Sequence, residues 1–392
     1  MMEKTCVIVG GGYAGIHAVK AVQKAFKGRA IKIVLIDKNS YHVRKVLLFK
    51  PAVKDEDIKI PFSEIFPEGV DIIQACVQSL FSENKMLRCL DSAGETFDIH
   101  YDYLVLAAGS VVREPETDRG GIALSGIDAA QQINKAWRAN LKAAVTETDK
   151  QKKQSLLSIS VAGAGLSGIE TAAELAYSIR AYAKELGLEE REVNIYLMNA
   201  QNRLFLDGPS SVGDKLERDL KEAGVKVCHN SRVLRASGGK VQLENGNEML
   251  SDLCVWTLGL QPNPMLQQMN VPLNADGKVI VDSSYRVKGL PSVYSVGDCA
   301  HIVDAVSGKP DKMTCKEAGA QAARLGQVIL ADIKGIKAPL HKSYRDTYCW
   351  SIGPDKGMGW VSKWGLNVMI TGKLGLKMRK FTWDIASLLR IY

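Results

Sequence analysis

Two glycine-rich loops in this chain have the spacing that binds phosphate groups. Residues 6–15 read CVIVGGGYAG and residues 159–168 read ISVAGAGLSG, so each apolar run enters a G-x-G-x-x-G turn. In such a turn the first glycine permits a tight bend, the second lets the backbone approach a pyrophosphate, and the third lets the next helix pack closely. One loop alone is also typical of a plain strand-to-helix turn. Two loops, each opening its own βαβ unit, predict an enzyme that holds two dinucleotides and passes electrons between them.

The loops must be positioned by strands and helices that the hydrophobic runs predict. The following helix presents free N–H groups and partial positive charge to the phosphates. An acid, Asp37, follows the second predicted strand, where a carboxylate accepts hydrogen bonds from an adenosine ribose. We predict strands at 5–9, 31–36, 104–107, 157–161, 193–198, 253–259 and 279–282, and helices at 13–27, 128–145, 167–186 and 314–333.

Composition indicates a globular protein of two or three domains. The chain has 392 residues, of which 46% are hydrophobic and 24% charged, and this length exceeds what one ordinary core covers. No apolar run reaches the ~18 residues of a membrane span, and the first loop begins so early that we expect no signal peptide and a cytoplasmic location. The net charge of +8 is spread along most of the chain without a nucleic-acid-binding module, so nucleic acid is not an expected partner.

The cysteines exclude several kinds of chemistry. There are eight, with no C-x-x-C pair and no metal-ligand spacing. A zinc site or a disulfide framework is therefore not expected. The same absence argues against a disulfide reductase of the thioredoxin or glutathione type.

Further motifs, in order along the chain, extend the pattern beyond the loops. Read together, they resemble the two-dinucleotide-binding-domain flavoproteins of the pyridine nucleotide-disulfide oxidoreductase superfamily. Within it the chain is most similar to type II NADH dehydrogenases, the single-subunit NADH:quinone oxidoreductases. The matching segments are 10–15, Asp37, Tyr41-His42, 103–110, 163–174, 256–259 and 293–298.

The resemblance implies an α/β fold with two Rossmann-like dinucleotide-binding domains. The FAD-binding domain would be discontinuous, from residues 1–113 and 262–340. Residues 114–261 would form the NAD(P)H-binding domain. Residues 341–392 would form a short C-terminal region that serves as a membrane-surface or dimerisation region.

The resemblance also implies which residues bind the cofactors FAD and NAD(P)H. Asp298 would bond the ribityl or pyrophosphate part of FAD, and the backbone near Val77 would approach the adenine. The residues expected around FAD are Gly10, Gly12, Tyr13, Ala14, Gly15, Asp37, Lys38, Lys45, Val77, Ala108, Gly109, Gly297 and Asp298. Those expected around NAD(P)H are Gly163, Gly165, Leu166, Ser167, Gly168, Asn199 and Gly259.

Two residues are candidates for catalysis. In similar enzymes the acid at the position of Glu170 lies near the nicotinamide and flavin and helps to move protons to quinone. The alternative is an acid that merely complements the helix dipole. Quinone-reducing relatives carry an A-Q-x-x-x-Q motif on the helix after Asp298, which aligns to Cys315–Ala320. Both glutamines are absent, and Lys316 stands at the first position, where it would bond a quinone oxygen or the flavin, or else be a solvated lysine. Gln321 is not expected to substitute because it points about 100° around the helix.

The nicotinamide preference is a second departure from the resemblance. NADH-preferring relatives usually carry a glutamate where this chain has Asn199, and that acid bonds the ribose 2′-hydroxyl and repels a 2′-phosphate. Asn199 can still bond a hydroxyl but repels no phosphate. Arg203 lies close by in sequence, so NADPH use is consistent with this segment.

The last segment, 364–392, interleaves basic and apolar residues and contains one acid. This composition is typical of an element that lies on an anionic membrane, here the inner face of the cell membrane. The alternative is a helix that packs on the protein core or on a partner in a homodimer. Trp383 beside basic residues favours the membrane, and three glycines weaken a single continuous helix.

The resulting hypothesis is an FAD-dependent NAD(P)H dehydrogenase that passes a hydride to FAD and two electrons to a quinone without pumping protons. Alternatives are an NAD(P)H-dependent reductase of a small ferredoxin-type carrier and a non-enzymatic NAD(P)H-sensing flavoprotein. A sulfide:quinone type of chemistry needs two redox cysteines near the flavin. It is disfavoured because no cysteine lies between Cys89 and Cys228.

Overall fold

The computed structural model describes residues 4–363 and 366–389. Residues 4–112 contain strands β1 (Lys4–Val9), β2 (Ile31–Asp37), β3 (Tyr41–Val43), β4 (Lys59–Pro61), β5 (Asp71–Gln74), β6 (Cys76–Phe81), β7 (Met86–Leu90), β8 (Thr96–His100), β9 (Tyr103–Leu106) and β10 (Ser110–Val112), and helices α1 (Tyr13–Ala25) and α2 (Phe62–Ile65). Residues 122–262 contain β11 (Ile122–Ala123), β12 (Ser158–Ala162), β13 (Asn194–Met198), β14 (Val225–Cys228), β15 (Val233–Ser237), β16 (Lys240–Leu243), β17 (Glu248–Leu250), β18 (Leu253–Trp256) and β19 (Leu260–Pro262), and α3 (Ile127–Thr146), α4 (Lys150–Leu156), α5 (Leu166–Glu185) and α6 (Ser210–Glu222).

The chain then continues through two shorter segments. Residues 279–334 contain β20 (Val279–Ile280), β21 (Val293–Ser295), β22 (Ala300–His301) and α7 (Cys315–Lys334). Residues 347–386 contain β23 (Thr347–Ile352), β24 (Lys356–Lys363), β25 (Leu366–Thr371) and α8 (Gly372–Ala386). Single 3-10 turns lie at Lys45–Leu47, Thr117–Arg119, Glu190–Glu192 and Pro264–Gln268.

Two five-stranded parallel sheets carry the two glycine loops. The first has the order β21-β9-β1-β2-β5, and the second has the order β11-β18-β12-β13-β14. Their central strands β1 and β12 are almost entirely buried, which accounts for near-continuous apolar sequence as in sheets covered on both faces. Strand β21 follows all strands of the second sheet in the sequence, yet it pairs with β9 in the first sheet. The predicted α/β fold with two Rossmann-like units is confirmed.

Helices α1 and α7 pack against each other beneath the first sheet. A side chain at Gly326 would overlap the carbonyl oxygen of Ala21, so this glycine sets how closely the two helices approach. Helix α7 begins after Thr314, whose hydroxyl accepts a hydrogen bond from the Glu317 amide at 3.3 Å, and it ends at left-handed Gly335 with φ 64°. These caps hold the helix whose first turn faces the candidate site.

The strands predicted at 253–259 and 279–282 are shorter in the structure, and not every helix was predicted. The strand predicted at 253–259 ends at Trp256, because the Thr257 hydroxyl turns back to the carbonyl of Gly163 at 2.9 Å. Helix α4 was not predicted, since its sequence KQKKQSL has almost no apolar periodicity. This helix begins after Asp149, whose carboxylate accepts a hydrogen bond from the Lys152 amide at 2.7 Å and so caps the helix.

The C-terminal segment folds onto the protein. Strands β23, β24 and β25 form an antiparallel sheet, and helix α8 packs on β24 and β23. Trp383 is 6% exposed and lies 6.0 Å from the Phe49 ring. The expectation that Trp383 marks a membrane interface is therefore wrong, because this side chain packs on the core. Residues 364–365 and 390–392 of the predicted tail lie outside the described residues. Within the described part, no helix has both the length and the hydropathy to cross a membrane.

Candidate functional site

The first glycine loop has the geometry of a phosphate cradle. Gly10 has φ 101°, and a side chain at Gly15 would overlap its carbonyl oxygen, so both positions require glycine. Gly12 is exposed and a Cβ there would meet no protein atom within 4 Å. Helix α1 starts beside this open space and has no side-chain cap and no acid in its first turn. The N–H groups of that turn are therefore available to bind an anion.

Asp37 closes the loop from the end of β2. Its carboxylate accepts hydrogen bonds from the Gly11 amide at 2.6 Å and from the Asn39 amide at 2.8 Å. An ionised carboxylate has further lone pairs, so it can also accept from a ribose hydroxyl. The neighbouring Lys38 is exposed. Tyr13 begins α1, and its hydroxyl accepts from the Val46 amide at 3.1 Å.

A partly buried polar cluster lies where the first sheet pairs with β21. The Ser110 hydroxyl donates to Asp298 at 2.6 Å, and the Lys45 ammonium donates to the Ser110 carbonyl at 2.9 Å. Burial raises the pKa of Asp298, and the Ser110 hydrogen bond opposes this. Burial also lowers the pKa of Lys45, which the Asp298 charge partly offsets. Polar groups placed in this way suit the polar chain of a flavin dinucleotide.

Gln321 holds the turn that carries Asp298. Its side-chain oxygen Oε1 accepts a hydrogen bond from the Gly297 backbone amide at 2.8 Å, and its side-chain nitrogen Nε2 donates to the Asp311 carboxylate at 2.8 Å. Gly297 has φ 83°, and a Cβ there would lie 2.6 Å from the Ala14 side chain. From the sequence, Gln321 was considered only as a substitute for the missing quinone-binding glutamines, a role that was not expected of it. Its spacing from the buried Ala318 would have indicated this inward position.

The chain crossing after β9 is fixed by Asn263, which sequence reasoning missed. The Asn263 side chain donates to the Ala108 carbonyl at 3.1 Å, and its backbone amide donates to the Gly109 carbonyl at 3.1 Å. Gly109 adopts φ 65°. The available sequence signal for Asn263 was its position in a P-N-P sequence within a strand-breaking segment.

Val77, the residue expected near the adenine, is buried in β6, at a bulge in its pairing with β7.

The second glycine loop repeats the first. Gly163 has φ 119°, and a side chain at Gly168 would overlap its carbonyl oxygen. Gly165 is exposed with no protein atom within 4 Å of a Cβ. Helix α5 begins at Leu166 and Ser167 without a side-chain cap or an acid in its first turn. The open space and the uncapped amides are therefore the same in both loops. Gly259, with φ 87°, ends the neighbouring connection after β18.

Arg203 does not supply a free cation to this second site. Its guanidinium donates to the carbonyls of Leu204 and Phe205 at 3.3 and 2.8 Å, and to those of Leu206 and Gly208 at 3.3 and 3.0 Å. These bonds shape the loop after β13. The terminal N–H groups of Arg203 are therefore used within its own loop, and NADPH use by this segment stays a prediction.

Glu170 is joined to the C-terminal helix. Arg379 donates to both oxygens of its carboxylate at 2.8 and 2.7 Å, and the Ser351 amide and hydroxyl donate to one of them at 2.8 and 3.0 Å. Glu170 is 1% exposed and Arg379 is 5% exposed. Burial alone would lower the pKa of Arg379, but the charge and the hydrogen bonds of Glu170 act together against it, and the pKa is raised. Glu170 is thus a paired, buried carboxylate at the junction of α5, β23 and α8.

Lys316 also lies at this junction but faces the tail. Its ammonium donates to the Thr347 carbonyl and lies 5.3 Å from the centre of the Tyr348 ring. Burial lowers the pKa of Lys316. The predicted alternative of a solvated lysine is wrong, because Lys316 is held under β23.

His42 makes the first loop sensitive to acid. One ring nitrogen bonds the Gly11 carbonyl at 3.0 Å, and the buried Nε2 atom has no hydrogen-bond partner. Burial lowers the pKa of His42 from 6.5 to about 4. Because the unfolded chain takes up this proton first, the stabilisation is complete above pH 6.5 and is lost as the pH falls towards 4.

His42→Asn should therefore remove about 2 kcal/mol of the loss of stability between pH 7 and pH 5. Asparagine can still donate to the Gly11 carbonyl but takes up no proton. Urea unfolding of both proteins at the two pH values measures the difference. The exposed His100→Asn serves as the control and should behave like the parent. An unchanged pH dependence in His42→Asn would show that this histidine is not the sensitive group.

Each parallel sheet has a glycine loop after its central strand, and the helix that follows the loop has no side-chain cap. This arrangement defines a protein with two dinucleotide-binding units. Residues 4–322 match the sequence profile of the pyridine nucleotide-disulphide oxidoreductase family, and the chain belongs to that family. In the described part of the chain the eight cysteines are free thiols.

Relatives and solved structures agree with this assignment. The chain is 24% identical over 396 residues to a type II NADH:quinone oxidoreductase of Staphylococcus aureus, covering 96% of this chain and 94% of the relative. It is 24% identical over 332 residues to the NADH dehydrogenase-like protein YutJ of Bacillus subtilis, covering 83% of each. The structure of NDH2 from Plasmodium falciparum in complex with NADH superposes with a TM-score of 0.83 at 16% identity, covering 99% and 97% of the two chains. That likeness shows the fold. The resemblance to type II NADH dehydrogenases is confirmed.

Proposed function

We propose that this protein is an FAD-dependent NAD(P)H dehydrogenase that reduces a quinone. The observation that carries the proposal is the repeated cradle, in which Gly12 and Gly165 each leave open space beside an uncapped helix N-terminus. The first cradle has a carboxylate for the ribose at Asp37 and a partly buried polar cluster around Asp298, which fits FAD. The names of the Staphylococcus and Plasmodium relatives support NADH as donor and quinone as acceptor.

When bound, FAD accepts a hydride from the nicotinamide and passes electrons to the acceptor. The protein's own contribution is to bind and orient. We assign residues 1–113 and 262–340 to FAD and residues 114–261 to the nicotinamide nucleotide. Gly163, Gly165 and Gly168 shape the second cradle, and Gly259 ends the connection beside it. Helix α8 places the Arg379 guanidinium against the Glu170 carboxylate on α5.

Glu170 and Lys316 keep a proposed role on the acceptor side. Both sit at the meeting of α5, α7 and β23, and both are held by the tail. Glu170 would hold negative charge beside the reacting groups, and Lys316 would offer its ammonium if its bond to the Thr347 carbonyl opened. A reductase of a small protein carrier remains the second candidate, because the net charge of +8 favours an acidic partner.

The tail also presents a surface that suits a peripheral membrane contact. Leu366, Val368 and Leu374 are 69%, 54% and 64% exposed, and Lys373 and Lys377 are exposed beside them. Apolar side chains next to lysines are typical of elements that lie on anionic lipid. This surface would bring the enzyme to a lipid-soluble acceptor.

Anaerobic titration of the purified FAD-loaded protein with NADH and NADPH tests the proposal. At least one nucleotide should bleach the flavin absorbance, and added menadione should restore it. Reoxidation by a long-chain quinone should be faster in anionic than in neutral vesicles if the tail surface binds membrane. No bleaching by either nucleotide would refute the dehydrogenase. Bleaching without reoxidation by quinone, but with reoxidation by a ferredoxin-type carrier, would favour the second candidate.

A further inference from the structure

A chain of side-chain hydrogen bonds runs along the edge of the second cradle. Glu217 on α6 bonds one ring nitrogen of His229 at 3.1 Å, and the other ring nitrogen bonds the Asn199 side chain at 2.9 Å. His229 directly follows β14 and Asn199 directly follows β13, so both lie at the carboxyl ends of adjacent parallel strands. Adenosine groups bind at this edge of such sheets.

These hydrogen bonds fix the orientation of the Asn199 side-chain amide. Its Nδ2 group donates to the Arg203 carbonyl at 3.0 Å and to His229 Nδ1 at 2.9 Å, while Oδ1 accepts from the Gln201 amide at 3.2 Å. With both N–H bonds used, the free valence of the side chain is a lone pair on Oδ1. His229 must then carry its proton on Nε2, and this N–H donates a hydrogen bond to the Glu217 carboxylate. The amide therefore offers an acceptor and no donor.

Asp37 shows the same arrangement in the first cradle. Its Oδ1 atom accepts from the amide two residues later, Asn39, just as Asn199 Oδ1 accepts from Gln201. Asn199 thus reproduces the acceptor oxygen of an acid without carrying a charge. An acceptor at this position suits a ribose 2′-hydroxyl, which can donate a hydrogen bond.

A 2′-phosphate would find an unfavourable environment here. Both terminal nitrogens of Arg203 are committed to backbone carbonyls. Glu217 adds a negative charge one side chain beyond Asn199. A phosphate dianion would meet an acceptor oxygen and a nearby carboxylate, and like charges placed together weaken binding. The Arg203 guanidinium keeps its positive charge, but its terminal N–H groups already donate to carbonyls and are not directed at the nucleotide.

We infer that Glu217 and His229 are specificity-determining residues, which hold Asn199 as an acceptor and make the second cradle select a nucleotide with a free 2′-hydroxyl over its 2′-phosphate. The inference rests on the proposed function, because it assumes that this cradle binds the nicotinamide nucleotide. It assigns the selection to a neutral amide oriented by its neighbours, with the negative charge held on α6.

Binding of the oxidised nucleotides to the FAD-loaded protein tests the inference without any turnover. Calorimetric titration should give a dissociation constant for NAD⁺ at least about tenfold lower than for NADP⁺. Glu217→Gln removes the charge, and His229→Phe leaves one N–H of the Asn199 amide without its partner, so that it can donate to a bound nucleotide. Each should lower the NAD⁺ preference about threefold to tenfold. Glu222→Gln, on the same helix but paired with Lys356 at 3.0 Å, is the matched control and should leave the preference unchanged.

The outcomes separate the inference from the proposed function. Glu217 is 46% exposed in its side chain, so Glu217→Gln should fold even if His229→Phe does not. Equal binding of the two nucleotides by the parent, or an unchanged preference in Glu217→Gln, would overturn the inference and leave the dehydrogenase standing. If neither nucleotide binds the FAD-loaded protein, the assignment of the second cradle itself is wrong.

Discussion

Replacing Gly165 with valine should abolish the reduction of bound FAD by NADH while FAD stays bound. A Cβ at Gly165 meets no protein atom within 4 Å, and the residue is extended with φ −73°, so the fold accepts a side chain there. The same side chain would fill the space through which a pyrophosphate reaches the first amides of α5. We expect the rate of flavin bleaching at a fixed low NADH concentration to fall by at least about 100-fold, equivalent to about 2.7 kcal/mol.

Gly126 provides a matched control for this substitution. It also precedes a helix, α3, in an extended conformation with φ −171°, and a Cβ there also meets nothing within 4 Å. It belongs to neither glycine loop, so Gly126→Val should bleach like the parent. The mirror substitution, Gly12→Val, should yield folded protein without the yellow cofactor. Bleaching of Gly165→Val at the parental rate would exclude the second loop as the nicotinamide site.

The glycine loops could be predicted because their signal is local. The turn, the close approach and the helix packing are each imposed by one residue, and the sequence places all of them within ten positions. Asp37 was equally accessible, since it directly follows a clear strand. The strand ends were less so, because Thr257 ends β18 through a bond to Gly163, which is remote in sequence.

The contacts that close the site could not be predicted from the sequence. Glu170 and Arg379 are 209 residues apart, and no local pattern says which of many arginines pairs with a given acid. The partners of Arg203 could not be predicted for a related reason. Its charge suggested a phosphate ligand, yet the turn of its own loop brings four carbonyl oxygens to its guanidinium. A charged residue's partner depends on tertiary structure, which spacing alone does not contain.

Arg379→Met should lower the free energy of unfolding by about 3–5 kcal/mol, because it leaves the buried Glu170 carboxylate without its cation. The pair is almost fully buried, and each oxygen of Glu170 receives a guanidinium hydrogen bond. The Ser351 amide and hydroxyl still donate to Glu170, so the loss should lie towards the lower end of this range. Urea unfolding of the FAD-loaded protein, followed by tryptophan fluorescence, measures the change.

Lys356→Met provides the matched control for Arg379→Met. The Lys356–Glu222 pair also joins the tail sheet to the second dinucleotide-binding unit, but its side chains are 56% and 61% exposed. Its loss should cost far less stability than Arg379→Met, because an exposed pair is screened by water. If the two variants lose the same small amount of stability, burial does not make the Glu170–Arg379 pair important.

The double variant Glu170→Gln/Arg379→Met decides what the buried pair is for. Removing both charges leaves no uncompensated ion, so the double variant should be more stable than Arg379→Met alone. If it also keeps parental rates of flavin bleaching and quinone-dependent reoxidation, the pair only attaches helix α8 to α5. If stability returns but reoxidation by quinone falls while bleaching by NADH is unchanged, Glu170 acts on the acceptor side. A double variant no more stable than Arg379→Met would contradict the ion-pair explanation, because the cost would then come from packing lost around the arginine stem.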